Sequence, residues 1–201
     1  MIGAIGKDKH GTFHPTGAGL LMFGNEYRII RHYHEYSLDY REMLDPTIRW
    51  TDRLYSSSGE WTGNLFDFYF RVYNKIILNV KVPFKMNGGE RVDDTPVHRA
   101  LREVLANCLV NSDFYVPRGI VIKQKNYILI IENPGTICVG KYKMKVGGES
   151  DQRNKAFMKM FNLIGLVSVQ AVGFRSYSLY GIRRDGWSRL LKNHIIRDAR
   201  F

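Results

Sequence analysis

The chain is poor in cysteine: among 201 residues there are only Cys108 and Cys138, far apart and with no C-x-x-C. That excludes a disulfide framework and a thiol-redox motif, and we expect two buried or free thiols in a reducing, cytoplasmic compartment. Long hydrophobic runs are also missing. No apolar stretch approaches the roughly 18 residues that span a bilayer, and "MIGAIGKDKHG" lacks the apolar core of a signal peptide. We therefore expect no membrane partner. Six histidines show no ligand spacing beyond the "HYH" pair His32 and His34, which in a strand would share one face and lie at the surface. There is no G-x-x-x-x-G-K-[ST], which excludes a P-loop helicase. No Ser/His/Asp order, no paired carboxylates in a shared loop and no internal repeat is visible.

Acidic residues are scarce in the second half alone. Residues 1–100 carry 13 basic and 12 acidic side chains; residues 101–201 carry 17 and 7, and the whole chain is +11. A basic half fits a polyanionic partner, nucleotide phosphate or nucleic acid, and equally a solubilising surface. The apolar fraction of 44% and the aromatic fraction of 13% are those of a folded protein.

Patterning predicts the elements. In "HPTGAGLLMFG" Thr16 caps a short helix and Gly24 stops it. "EYRIIRHYHEYSLDYRE" reads as one or two strands, and "RWTDRLYSSSGEWTGN" as a loop. "LFDFYFRVYNKIILNV" has helical spacing, with an aromatic stripe for the core. Pro83 and Gly88-Gly89 mark an internal boundary, after which Thr95 caps a helix with Pro96 at its first position. Two strands, 119–124 and 127–132, form a hairpin that ends at "NPG". A loop follows over 136–150, then a helix in "RNKAFMKMFNLIG" with Phe157, Met160, Phe161 and Ile164 on one side and Gly165 as its stop. "LVSVQAVGF" and "SYSLYGI" read as strands, and "WSRLLKNHIIRD" as a basic helix. The order favours an α+β sandwich, with helices on one face of a mainly antiparallel sheet.

The helix in "HRALREVLANCLVNSDF" carries an anomaly. Leu101, Val104, Leu105, Cys108 and Leu109 form an apolar arc, yet Glu103, Asn107 and Asn111 recur every fourth position along its edge. An asparagine carbonyl suits Mg²⁺, which keeps waters and takes phosphate oxygens. A carboxylate one turn earlier can position or deprotonate a water. Glu and Asn are also ordinary at the rim of an amphipathic helix, so the strip alone does not decide.

"HRALREVLANCLVNSDFY", "IVIKQKNYILIIENPGT" and "KVGGESDQRNKAFMKMFNLIGL" together resemble a bacterial transcriptional-regulator family, also called RecG-related ATP-binding proteins, over its C-terminal histidine-kinase-like (GHKL, Bergerat-type) domain. "PTGAGLLMFG" and "SSSGEWTGNLFDFYFRVYNK" resemble the segment before that domain. The resemblance runs from about Gly11 to Phe174 and implies an N-terminal α/β connecting subdomain over 1–82, a GHKL-like ATP-binding domain over 83–182 and a basic C-terminal helix over 183–201. It implies Glu103 as the water-activating base and Asn107 as the magnesium ligand, with Asn111 where relatives often carry a histidine. It places Asn133 and Gly135 in the loop whose first residue reads adenine. It makes Gly147, Gly148, Ser150 and Arg153 a phosphate cradle around the ATP lid. At "SVQAVGF", where relatives often carry an E-R-x-G-T-G-like run, Ser168 and Ala171 depart from it and only Gly173 remains.

Two functions are expected from this. The first is an ATP- and Mg-binding regulatory module of a DNA-associated transcriptional regulator, with slow or no hydrolysis. The second is a degenerate GHKL-like domain serving as an interaction, homodimerisation or nucleic-acid-binding module. Arg175, Arg183, Arg184, Arg189 and Lys192, interleaved with Tyr177, Tyr180 and Trp187, would contact nucleic acid. No AlbA-like (Schlafen-type) module precedes the matched region, so we expect a piece of a longer protein.

Overall fold

The computed structural model of the chain describes residues 3–78, 86–87, 90–91, 95–125, 128–135 and 153–165. A hairpin of β1 (Ile5–Lys7) and β2 (Phe13–Pro15) leads into α1 (Gly17–Phe23) and α2 (Glu26–Ile29). Then come β3 (Leu38–Glu42), β4 (Asp52–Tyr55) and α3 (Leu65–Leu78). A two-residue hairpin, β5 (Met86–Asn87) and β6 (Glu90–Arg91), precedes α4 (Pro96–Asn111). The hairpin of β7 (Ile120–Lys125) and β8 (Ile128–Glu132) follows, and α5 (Lys155–Leu163) is the last described element.

The main sheet has the order β4-β3-β7-β8. Its outer pairings are antiparallel and the central one, β3 with β7, is parallel. Parallel neighbours need a long crossover, and here α3 and α4 lie within it. Because strand side chains alternate, Leu38, Tyr40, Leu54, Ile120, Ile122 and Ile131 all fall on one face. They are buried with Leu21, Met22, Phe68, Tyr69, Leu105, Leu109, Phe157 and Phe161 of the helices. The chain is therefore an α+β protein with its core between helices and one face of a mixed sheet. Strands β3 and β4 come from before residue 83, and β7 and β8 from after it. The expected connecting subdomain and the expected ATP-binding unit thus share one sheet and one core.

The caps follow their chemistry. Thr16 Oγ1 accepts the Gly19 N–H at 3.0 Å, and the Gly24 N–H donates to the Leu20 carbonyl at 2.8 Å. A Cβ at Gly19 would stand 1.9 Å from the Ala4 carbonyl oxygen, so only glycine lets α1 meet the segment before it this closely.

Two expectations need correction. Residues 26–36 are not strand but α2 and successive turns, with Ile30 N–H to Glu26 O at 3.0 Å and Tyr33 N–H to Ile29 O at 2.9 Å. The buried residues there, Ile29, Tyr33 and Tyr36, are spaced i, i+4, i+7. That helical period was masked by aromatic and β-branched composition. His32 and His34 are exposed on these turns. Conversely, 52–55 is an edge strand and not loop, because an edge strand here needs a single inward apolar residue, Leu54. In α5, Phe157, Met160 and Phe161 are buried as expected, whereas Ile164 lies past the helix end and is 44% exposed. The expected strands over 166–182 and the basic helix after them lie outside the described residues.

Candidate functional site

Helix α4 begins where the sequence places it. Pro96 occupies its first turn, and the Thr95 hydroxyl lies 2.8 Å from His98 Nδ1. The helix packs between α3 and α5 and over the sheet. Consequently nearly its whole circumference is buried: Ala100, Leu101, Val104, Leu105, Ala106, Cys108, Leu109 and Val110. Glu103, Asn107 and Asn111 interrupt this burial and are only part-buried. At about 1.5 Å rise per residue, they define a polar strip roughly 12 Å long.

The C-terminal end of α4 is where the sequence motifs meet. The Asp113 N–H donates to the Pro134 carbonyl at 3.0 Å, which seats the Asn133–Gly135 bend against the helix end. Gly135 has φ +106, and a Cβ there would lie 2.8 Å from the Asp113 Cβ, so both backbone angle and space call for glycine. Arg153 Nη1 donates to Asp113 Oδ2 at 2.9 Å. Asn154 Nδ2 donates to the Val110 and Ser112 carbonyls at 2.9 and 2.8 Å, satisfying acceptors that the helix end leaves over. Asn111 Nδ2 donates to the Asn107 carbonyl at 2.9 Å. Arg153 offsets both Asp113 and the negative pole of the helix.

The structure thus gathers Asn111, Asn133, Gly135 and Arg153 near one helix end, with Asn107 and Glu103 one and two turns further back. Gly147, Gly148, Ser150, Gly173, Arg175, Arg183, Arg184, Arg189 and Lys192 lie outside the described residues. Sequence reasoning assigned no role to Asp113 or Asn154. Both fall inside the quoted motifs, but their partners lie about 40 residues away along the chain, and no local spacing signals such a pair.

Among the described residues, no three His, Cys, Asp or Glu side chains are grouped to hold a metal. The donor set at the strip is one carboxylate and two carboxamides. It fits a hard cation that arrives with phosphate oxygens and water rather than one held in a protein cage.

The fold is that of an α+β protein in which helix α4 carries a part-buried polar edge and meets a glycine bend at its C-terminal end. The model of a domain of unknown function (DUF8451) matches residues 1–39, which span β1 through the start of β3. No curated protein matches. Among solved structures, the chain is similar to the DIP2311 protein from Corynebacterium diphtheriae, with 18% identity and a TM-score of 0.56 over 83% of this chain. It spans 32% of that protein's length. The likeness is one of fold.

Proposed function

We propose that this chain is a GHKL-like nucleotide-binding module that regulates a DNA-associated transcriptional regulator, with slow or no hydrolysis. The carrying observation is the interrupted burial of α4. A helix enclosed on nearly every side leaves Glu103 and Asn107 only part-buried, one turn apart, on the helix whose C-terminal end meets the "NPG" bend. Mg²⁺, when bound, would neutralise phosphate charge and orient the terminal phosphoryl group. Asn107 Oδ1 would be its protein oxygen ligand. Glu103 would hold a water by accepting a hydrogen bond from it. The Asn133 amide oxygen would accept from an adenine amino group.

One observation favours the alternative, a degenerate module working by contact with other macromolecules. Asn111 and Arg153, both expected to meet the ligand, make intramolecular bonds. Hydrogen exchange with Mg-ATP separates the two readings. Slowed amides in 133–135 and 147–154, dependent on Mg²⁺, are expected. Equal exchange with and without nucleotide would leave the contact module.

A further inference from the structure

The opposite face of the sheet carries a different chemistry. The core-facing side chains alternate with Asp39, Arg41, Arg53, Tyr55, Val121, Lys123 and Ile130, none of which belongs to the core cluster. In register, Arg53 of β4 stands beside Arg41 of β3, and Arg41 beside Lys123 of β7. Three cations therefore form one row across three strands, at about 4.8 Å per strand.

Like charges placed directly opposite each other destabilise a sheet, so the row depends on carboxylates beside it. Two carboxylates in the adjacent row offset part of it. Asp39 accepts from Arg41 at 2.8 and 2.6 Å and from Arg53 at 2.9 and 2.9 Å. Glu132 accepts from Lys123 Nζ at 2.8 and 3.0 Å. The Asp39 contacts use Nε and Nη2 of each arginine, which leaves each Nη1 for another acceptor. Arg49 and Lys125 are exposed and add charge beside the row.

Aromatic rings fix the guanidinium groups. Arg49 and Arg53 each lie over Trp50 at 4.3 Å, and Arg53 lies over Tyr55 at 4.7 Å. A guanidinium over a ring is a restrained cation beside an aromatic side chain, a pairing that suits a phosphate with an adjoining unpaired base.

We propose that this outer face, centred on Arg41, Arg53, Arg49, Trp50, Lys123 and Lys125, binds single-stranded nucleic acid, with phosphates along the cation row and bases against the Trp50–Tyr55 side. The proposal is independent of the nucleotide reading. A duplex hides its base faces, and an acidic peptide brings charge without stacking, so the rings favour a single strand over both.

The test is fluorescence anisotropy of the full chain with labelled dT20, U20 and a 20-base-pair duplex, over a salt series. The single strands should bind more tightly than the duplex, and the dT20/U20 ratio reports any use of the 2′-hydroxyl. Arg49→Gln with Lys125→Gln, both exposed and outside the core, should lower the log–log salt slope by about 1.4, at about 0.7 per phosphate contact on a single strand. Trp50→Leu should weaken dT20 by about fivefold to a hundredfold. Equal or tighter duplex binding, displacement of dT20 by polyglutamate at matched charge, or unchanged affinity in both variants would overturn the proposal.

Discussion

Asp39→Asn is the most informative single change. The Asp39 side chain is 6% exposed, while Arg41 and Arg53 are 31% and 32% exposed. Removing one partner from a fully buried ion pair costs about 3–5 kcal/mol, because the remaining charge is stranded. Here about a third of each guanidinium already meets water, so the released cations rehydrate and the cost falls to about 2 kcal/mol. For a chain of this size that is a drop of about 4–8 °C in Tm. Burial alone pushes the Asp39 carboxyl up, but hydrogen bonds from Arg53 and Arg41, with their charges, outweigh it and hold it below the ordinary value of 3.8. A depressed carboxyl contributes stability above its unfolded value and loses it as pH falls through the folded one. The gap between wild type and Asp39→Asn in urea denaturation should therefore be full at pH 7 and begin to narrow only as the pH falls below about 4, toward the folded value. The same variant removes one negative charge from the outer sheet face and should tighten dT20 binding while it weakens the fold. Equal urea midpoints at pH 7, or a gap that does not narrow at all as the pH is lowered from 7 through the acid range, would refute the reasoning.

Other changes probe the site and the core. Gly135→Ala should cost about 1–3 kcal/mol, since an L-residue must hold φ near +106 against Asp113; an unchanged urea midpoint would contradict this. Asn154→Ala removes two hydrogen bonds to the end of α4 and should cost about 2 kcal/mol, read by thermal unfolding. Burial pushes the Cys108 thiol up to about 12, against the pull of the Ser112 hydroxyl. In a Cys138→Ser variant, Cys108 should therefore resist thiol reagents at pH 8 until denaturant is added, and rapid native labelling of that variant would contradict its burial.

What was legible in the sequence was local. Thr16, Gly24, Thr95 and Pro96 announce helix ends through cap chemistry that depends only on neighbours. The strands around Lys125 carry their own β pattern, and the arc of α4 carries its own period. The strip of Glu103, Asn107 and Asn111 was visible for the same reason. Residues 26–36 were misread because their core spacing is spread over aromatic residues that also suit strands. Strand β4 was missed because one inward leucine is too little pattern to see. The Asp113–Arg153 pair, the capping of α4 by Asn154 and the cation row could not be read locally. Each depends on register or on packing between distant segments, above all the parallel pairing of β3 with β7.

Isothermal titration of the full chain with Mg-ATP tests the central claim most directly. The account predicts one Mg²⁺-dependent site whose heat is lost in Asn107→Ala, while the unfolding free energy of the variant stays within about 0.5 kcal/mol of wild type. No heat with the wild-type chain, or heat that is indifferent to both chelator and Asn107→Ala, would contradict it.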